Sequence, residues 1–189
     1  MNTMNKITHH LSDQLLIGYS AGSLPEAFNL VVATHLSMCD ECRAAAQSFD
    51  SIGGALLQAQ PTENLGDAAL AKTMALIAKG PKAAASKPVG SDVPDPLSAY
   101  IGGGLNDVKW RPIGLGVRQA VLKTSHAATA RLLYIPSGAA VPAPGHRRPA
   151  LPLVLQGAFR DENAPIPAGN VGVDDQDFHH QPWPETGQE

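Results

Sequence analysis

A chain of 189 residues that is 43% hydrophobic but only 5% aromatic can bury the core of one large or two small domains, built on aliphatic side chains. Its formal charge of −3 is uneven, with four basic against seven acidic residues in positions 1–80 and ten of each in the rest. That balance argues against a nucleic-acid binder, which needs clustered cations to displace phosphate counterions, and suits a basic protein partner.

No apolar run approaches the ~20 residues that cross a bilayer, and residues 1–10 lack the apolar stretch of a signal peptide. A cytoplasmic protein is expected, with its two cysteines in a reducing compartment where metal binding or redox chemistry is favoured over a structural disulfide.

The N-terminal part reads as helices. Ser12 is placed to cap a first helix through Leu15, Leu16 and Tyr19, ended by Gly22. Ser23 is an N-cap candidate for a second helix, with Pro25 just inside its start. This helix carries Phe28, Val31, Val32, His35 and Cys39 at offsets of three and four, which keep one face inward. A third helix is expected from Asp40 or Glu41 through Ala45, Phe49, Ile52 and Leu56, with Gly53 and Gly54 weakening its second half.

The segment His35-x3-Cys39-x2-Cys42 has the spacing of metal ligands. On a helix these positions span about 60° of one face; alternatively, Cys42 opens the next helix. A tetrahedral ion needs a fourth ligand, and His10, just before the first helix, can supply it, with His9 as the competing choice. Two thiolates and two neutral imidazoles cancel the charge of Zn²⁺ and leave no open coordination position, so the expected site is structural and the protein is expected not to be an enzyme. A thiol redox pair and two small buried hydrophobes are the competing readings of the cysteines.

A fourth helix reads from Asp67 to Lys79, stopped by Gly80, after a loose tether over residues 58–66. Leu70, Met74 and Ile77 fall on one of its faces, which packs either on its own bundle or in a partner's groove. Residues 81–96, rich in Pro, Ala, Ser, Lys and Gly, read as a linker. Beyond it, runs at 117–122, 130–135 and 151–155 read as strands of a sandwich or barrel. Trp110 is expected to anchor that core. The fold class is therefore α+β in two domains: a helical zinc-binding bundle over residues 1–80, a linker over 81–96 and a β domain over 97–189.

The text around the motif, HHLSDQLLIGYSAGSL and AFNLVVATHLSMCDECRA, resembles the ChrR-type zinc-binding anti-sigma factors, which join such a helical domain to a cupin. The resemblance runs from about residue 9 to about residue 187. It implies sequestration of an extracytoplasmic-function-type (ECF-type) sigma factor away from RNA polymerase, with three helices holding zinc through His10, His35, Cys39 and Cys42 and the fourth packing on the sigma factor. It also implies a cupin-like barrel tied to the response to singlet oxygen and organic peroxide. Against the cupin pattern, Gly138 and Gly157 keep the spacing, but Pro144 stands for the first His and Ala150 for the Glu, leaving His146 and His180 (or His179). Two imidazoles do not make a tight transition-metal site. The final strands of the barrel are expected to be missing. A thiol or zinc redox sensor and a metal-dependent cupin enzyme are the alternative functions; the enzyme would need the ligands replaced by Pro144 and Ala150.

Overall fold

The computed structural model describes residues 7–80, 93–139, 150–160, 165–172 and 183–184. Its order is four helices, a fifth short helix, a 3-10 turn at Leu105–Asp107 and six strands. The chain thus places helices before sheets, as its periodicities predict. Among the described residues, no helix is long and apolar enough to cross a membrane.

Helix α1 (Asp13–Ser20) follows Ser12, although the Ser12 side chain makes no capping hydrogen bond. Helix α2 (Glu26–Met38) starts after Pro25 rather than from a Ser23 cap. Ser23 instead turns back, its hydroxyl donating to the Gly18 carbonyl at 3.2 Å. Pro25 suits the cap position because its missing N–H would have no partner in the helix.

The predicted single inward face of α2 is too narrow. Ala27, Leu30, Val32, Thr34, His35 and Leu36 are all buried, because α2 is packed on two sides. Val32 and Leu36 join a first core with Leu11, Leu16, Cys39, Cys42, Ala46 and Val171. Ala27 and Leu30 join a second with Val93, Leu97, Ala120, Ala130 and Leu132. A helix apolar on most of its circumference is one enclosed by its own protein.

Helix α3 (Asp40–Gln58) runs straight through Gly53 and Gly54. It buries only Cys42 and Ala46, and all of residues 50–58 are exposed, so its last turns project from the bundle. Helix α4 (Ala69–Ala78) buries nothing. Helix α5 (Asp95–Ile101) packs on α2, and the sequence reading missed it. The Tyr100 hydroxyl donates to Glu26 Oε1 at 2.8 Å while the Ser125 backbone N–H donates to Glu26 Oε2 at 2.6 Å, tying the start of α2 to the β region. These two bonds hold the Glu26 carboxyl below its ordinary range, Tyr100 contributing most.

Strands β1 (Arg111–Gly114), β2 (Val117–Val121) and β3 (Arg131–Tyr134) form an antiparallel meander. Strands β4 (Ala158–Arg160), β5 (Pro165–Pro167) and β6 (Trp183–Pro184) form a second sheet in the order β5-β4-β6. The strand prolines, Pro112, Pro165, Pro167 and Pro184, all lie on edge strands, where a missing ladder donor costs least. The expected strand at 151–155 is reduced to a single bridge, Leu153 to Val171, consistent with Pro152 interrupting it. Half-buried Trp110 packs on the second core and meets Tyr134 in a T-shaped arrangement with ring centroids 6.3 Å apart.

Candidate metal centre

The corner between α2 and α3 builds the site. Cys39 leaves the helical conformation, at φ −119° and ψ 110°, so 35, 39 and 42 do not share one continuous helix. The alternative in which Cys42 opens the next helix is the one adopted. Cys39 N–H donates to the His35 carbonyl at 2.9 Å to close α2, and Arg43 N–H donates to the Cys39 carbonyl at 3.1 Å to open α3. Cys39 Sγ takes the N-cap role, accepting the Cys42 N–H at 3.5 Å. Arg43 locks the corner by donating to the Leu36 carbonyl at 2.9 Å and by pairing with Asp40. Asp40 and Glu41 sit in the first turn of α3, where the helix dipole favours anions.

This corner and the segment before α1 bring His10, His35, Cys39 and Cys42 together, with one donor atom from each within 4.8 Å of all the others. His10 Nδ1 lies 3.4 Å from Cys39 Sγ and 3.6 Å from Cys42 Sγ. Bonds of 2.0–2.3 Å to a tetrahedral ion place ligand atoms about 3.3–3.8 Å apart, so the cluster needs little contraction to hold one. His9 lies outside the group, its Nδ1 3.2 Å from Asn170 Oδ1.

The electrostatics favour a cation. His35 is fully buried, and its Nδ1 faces the Gly169 carbonyl at 2.9 Å. A carbonyl only accepts, so Nδ1 carries the proton and Nε2 presents a lone pair. That Nε2 is buried without a hydrogen-bond partner, an orphan that a metal ion would satisfy. Burial lowers the His35 pKa against the raising effect of the Gly169 carbonyl, keeping the ring neutral and able to ligate. Burial pushes the Cys42 thiol up to about 11, opposed by a Leu11 backbone hydrogen bond and reinforced by Cys39. A divalent cation reverses that preference by stabilising the thiolates. The donor set therefore fits a soft-to-borderline divalent ion, and four such donors would fill its tetrahedral coordination, which suits support rather than turnover.

The sequence reading missed three neighbours. Glu41 Oε2 lies 3.3 Å from His10 Nε2, which orients that ring with Nδ1 toward the sulfurs. Gly169 orients His35 through its carbonyl. Asn170, fully buried, accepts the backbone N–H groups of Thr8 and His9, each at 2.8 Å. Glu41 enters the sequence reading only as one of two starting points for the third helix, and nothing local links positions 169–170 to a site near residue 35. His146, His179, His180 and Pro144 lie outside the described residues; Ala150 is exposed.

Comparison with known proteins covers most of the chain. Residues 101–188 match the family model of the ChrR cupin-like domain. The chain is 50% identical over 182 residues to the anti-sigma-E factor ChrR of Cereibacter sphaeroides, covering 96% of this chain and 85% of that protein. Its fold matches ChrR as seen in the crystal structure of Rhodobacter sphaeroides SigE in complex with the anti-sigma ChrR, with a TM-score of 0.84 and 49% identity. That match covers 96% of this chain and 94% of the other.

Proposed function

The chain belongs to the ChrR-type anti-sigma factor family, and on that premise we propose that it sequesters an ECF-type sigma factor and blocks its binding to RNA polymerase. It acts by binding, as a regulator of stress-response transcription, and not as an enzyme. The observation that carries the reading in this chain is the apolar surface of α3 and α4. Ile52, Leu56, Leu57, Leu70, Met74, Leu76 and Ile77 are each at least 57% exposed. A 10-residue helix with no buried side chain has too little support to be helical on its own, and a partner's groove supplies it. The acidic balance of residues 1–80 suits a basic partner surface.

In this reading residues 1–80 are the sigma-binding unit, 81–96 a linker and 97–189 a cupin-like barrel. Zinc held by His10, His35, Cys39 and Cys42 fixes the angle between α2 and α3 and thereby the direction in which α3 projects. The orphaned His35 Nε2 and the sulfur–nitrogen spacing of the cluster support zinc there.

The test is co-purification of the tagged full-length chain with the ECF-type sigma factors of its own genome, followed by metal analysis of the complex. A 1:1 complex carrying one zinc per chain is expected. A chain that captures none of these sigma factors, or binds one equally well after zinc is stripped, contradicts the reading.

A further inference from the structure

Two of the four clustered side chains are held from the far end of the chain. His35 Nδ1 is fixed by the Gly169 carbonyl at 2.9 Å. The segment that carries His10 is fixed by Asn170, whose Oδ1 accepts from Thr8 N–H and His9 N–H. Its Nδ2 donates to the Pro167 carbonyl at 2.9 Å, which sets the orientation of the amide. Val171 N–H reaches the His9 carbonyl at 3.5 Å, and the Val171 side chain enters the same core as Cys39 and Cys42. The turn itself is anchored in the β region, through Gly169 N–H to the Val154 carbonyl at 2.8 Å and Gly172 N–H to the Pro152 carbonyl at 2.9 Å.

The approach is close enough to require a particular residue. Gly169 has φ +89°, and a Cβ there would lie 2.7 Å from Ile7 Cδ1 and 3.7 Å from Met38 Cε. A side chain at 169 would strain the backbone and wedge the turn away from His35. Asn170 is equally constrained, since it is fully buried and uses both ends of its amide.

From this we infer that the Gly169–Asn170–Val171 turn of the β region positions the two histidines of the helical metal centre, so that metal affinity and docking of the β region on the helices are thermodynamically linked. The inference rests on the zinc reading of the cluster. Its logic is reciprocal: whatever factor the docked turn adds to metal affinity, the bound metal adds to docking. Groups that orient a ligating histidine change metal affinity by about ten- to a hundred-fold when removed. Any event in the β region that shifts this turn would loosen the metal centre without touching a ligand.

The experiment uses the full-length zinc-loaded chain. Zinc release to a competing chelator is timed for the unsubstituted protein, for Asn170→Ala and for Val117→Ala, which truncates a buried side chain of β2 that belongs to neither core. Asn170→Ala is expected to release zinc at least about ten-fold faster, and Val117→Ala to release it at the original rate. In parallel, amide exchange at Gly169 and Val171 is followed in the unsubstituted chain before and after zinc is stripped. Protection there is expected to fall on stripping, while protection in β2 and β3 stays. Unchanged release from folded Asn170→Ala, or equal acceleration by Val117→Ala, overturns the inference while leaving the zinc reading intact. Should Asn170→Ala fail to fold, the exchange measurement decides alone, and unchanged protection at 169–171 overturns it. A full-length chain that holds no zinc overturns both.

Discussion

At the scale of single residues, the site is a problem of proton placement. The buried Cys42 thiol, held up to about 11, stays protonated near neutral pH until a cation displaces its proton. Metal binding therefore releases protons, and affinity must rise with pH below that value, by about ten-fold per pH unit for each proton released. Chelator competition at several pH values around neutrality should show zinc binding tightening as pH rises; a flat profile would mean that the thiols are not ligands. The sequence groups His35, Cys39 and Cys42 by a metal-ligand spacing on one short segment, and the structure brings the three together. The choice between His9 and His10 was not legible. In the structure Asn170, 161 positions from His9, has its amide oxygen 3.2 Å from the His9 ring, while His10 meets the sulfurs.

At the scale of elements, the long helices were legible because their apolar residues repeat over several turns. The break at Cys39 was left open, because a cysteine sulfur serving as N-cap leaves no Ser, Thr, Asp or Asn to announce it. Helix α5 escaped notice because its seven residues show barely two turns and carry a proline at their start. Strands β4 to β6, of two or three residues each, are too short for alternation to register. Helix α4 was placed correctly, and its exposed face settles against packing on its own bundle. Leu70 is 74% and Met74 57% exposed, so Asp at both should leave zinc content and helicity of the bundle intact. The same double substitution should weaken sigma-factor binding by at least ~100-fold, since apolar anchors at the centre of an interface carry most of its energy. Calorimetric titration of a purified sigma factor into the double variant checks this; unchanged affinity would move the docking surface elsewhere.

At the scale of the whole molecule, composition divides the chain into an aliphatic helical part and a proline-rich β part, while packing joins them. Helix α2 contributes to both cores, Val171 of the β region is buried beside the cysteines, and Glu26 bonds to Tyr100 and Ser125 across the same boundary. The division drawn from the sequence at residues 81–96 rests on composition, which is local. Composition could not reveal the joint, which depends on pairs of residues separated by as many as 162 positions. The candidate metal centre lies at this joint, and the exposed faces of α3 and α4 lie outside both cores. The arrangement leaves the apolar faces of α3 and α4 exposed while the turn at 169–170 touches the cluster. The most direct measurement of the central claim is transcription in vitro from a promoter served by the ECF-type sigma factor that co-purifies with the chain, with core RNA polymerase and increasing amounts of the zinc-loaded protein. The account predicts that transcription falls to background near one chain per sigma factor and recovers when excess sigma factor is added; transcription that persists at a large excess of the chain would contradict it.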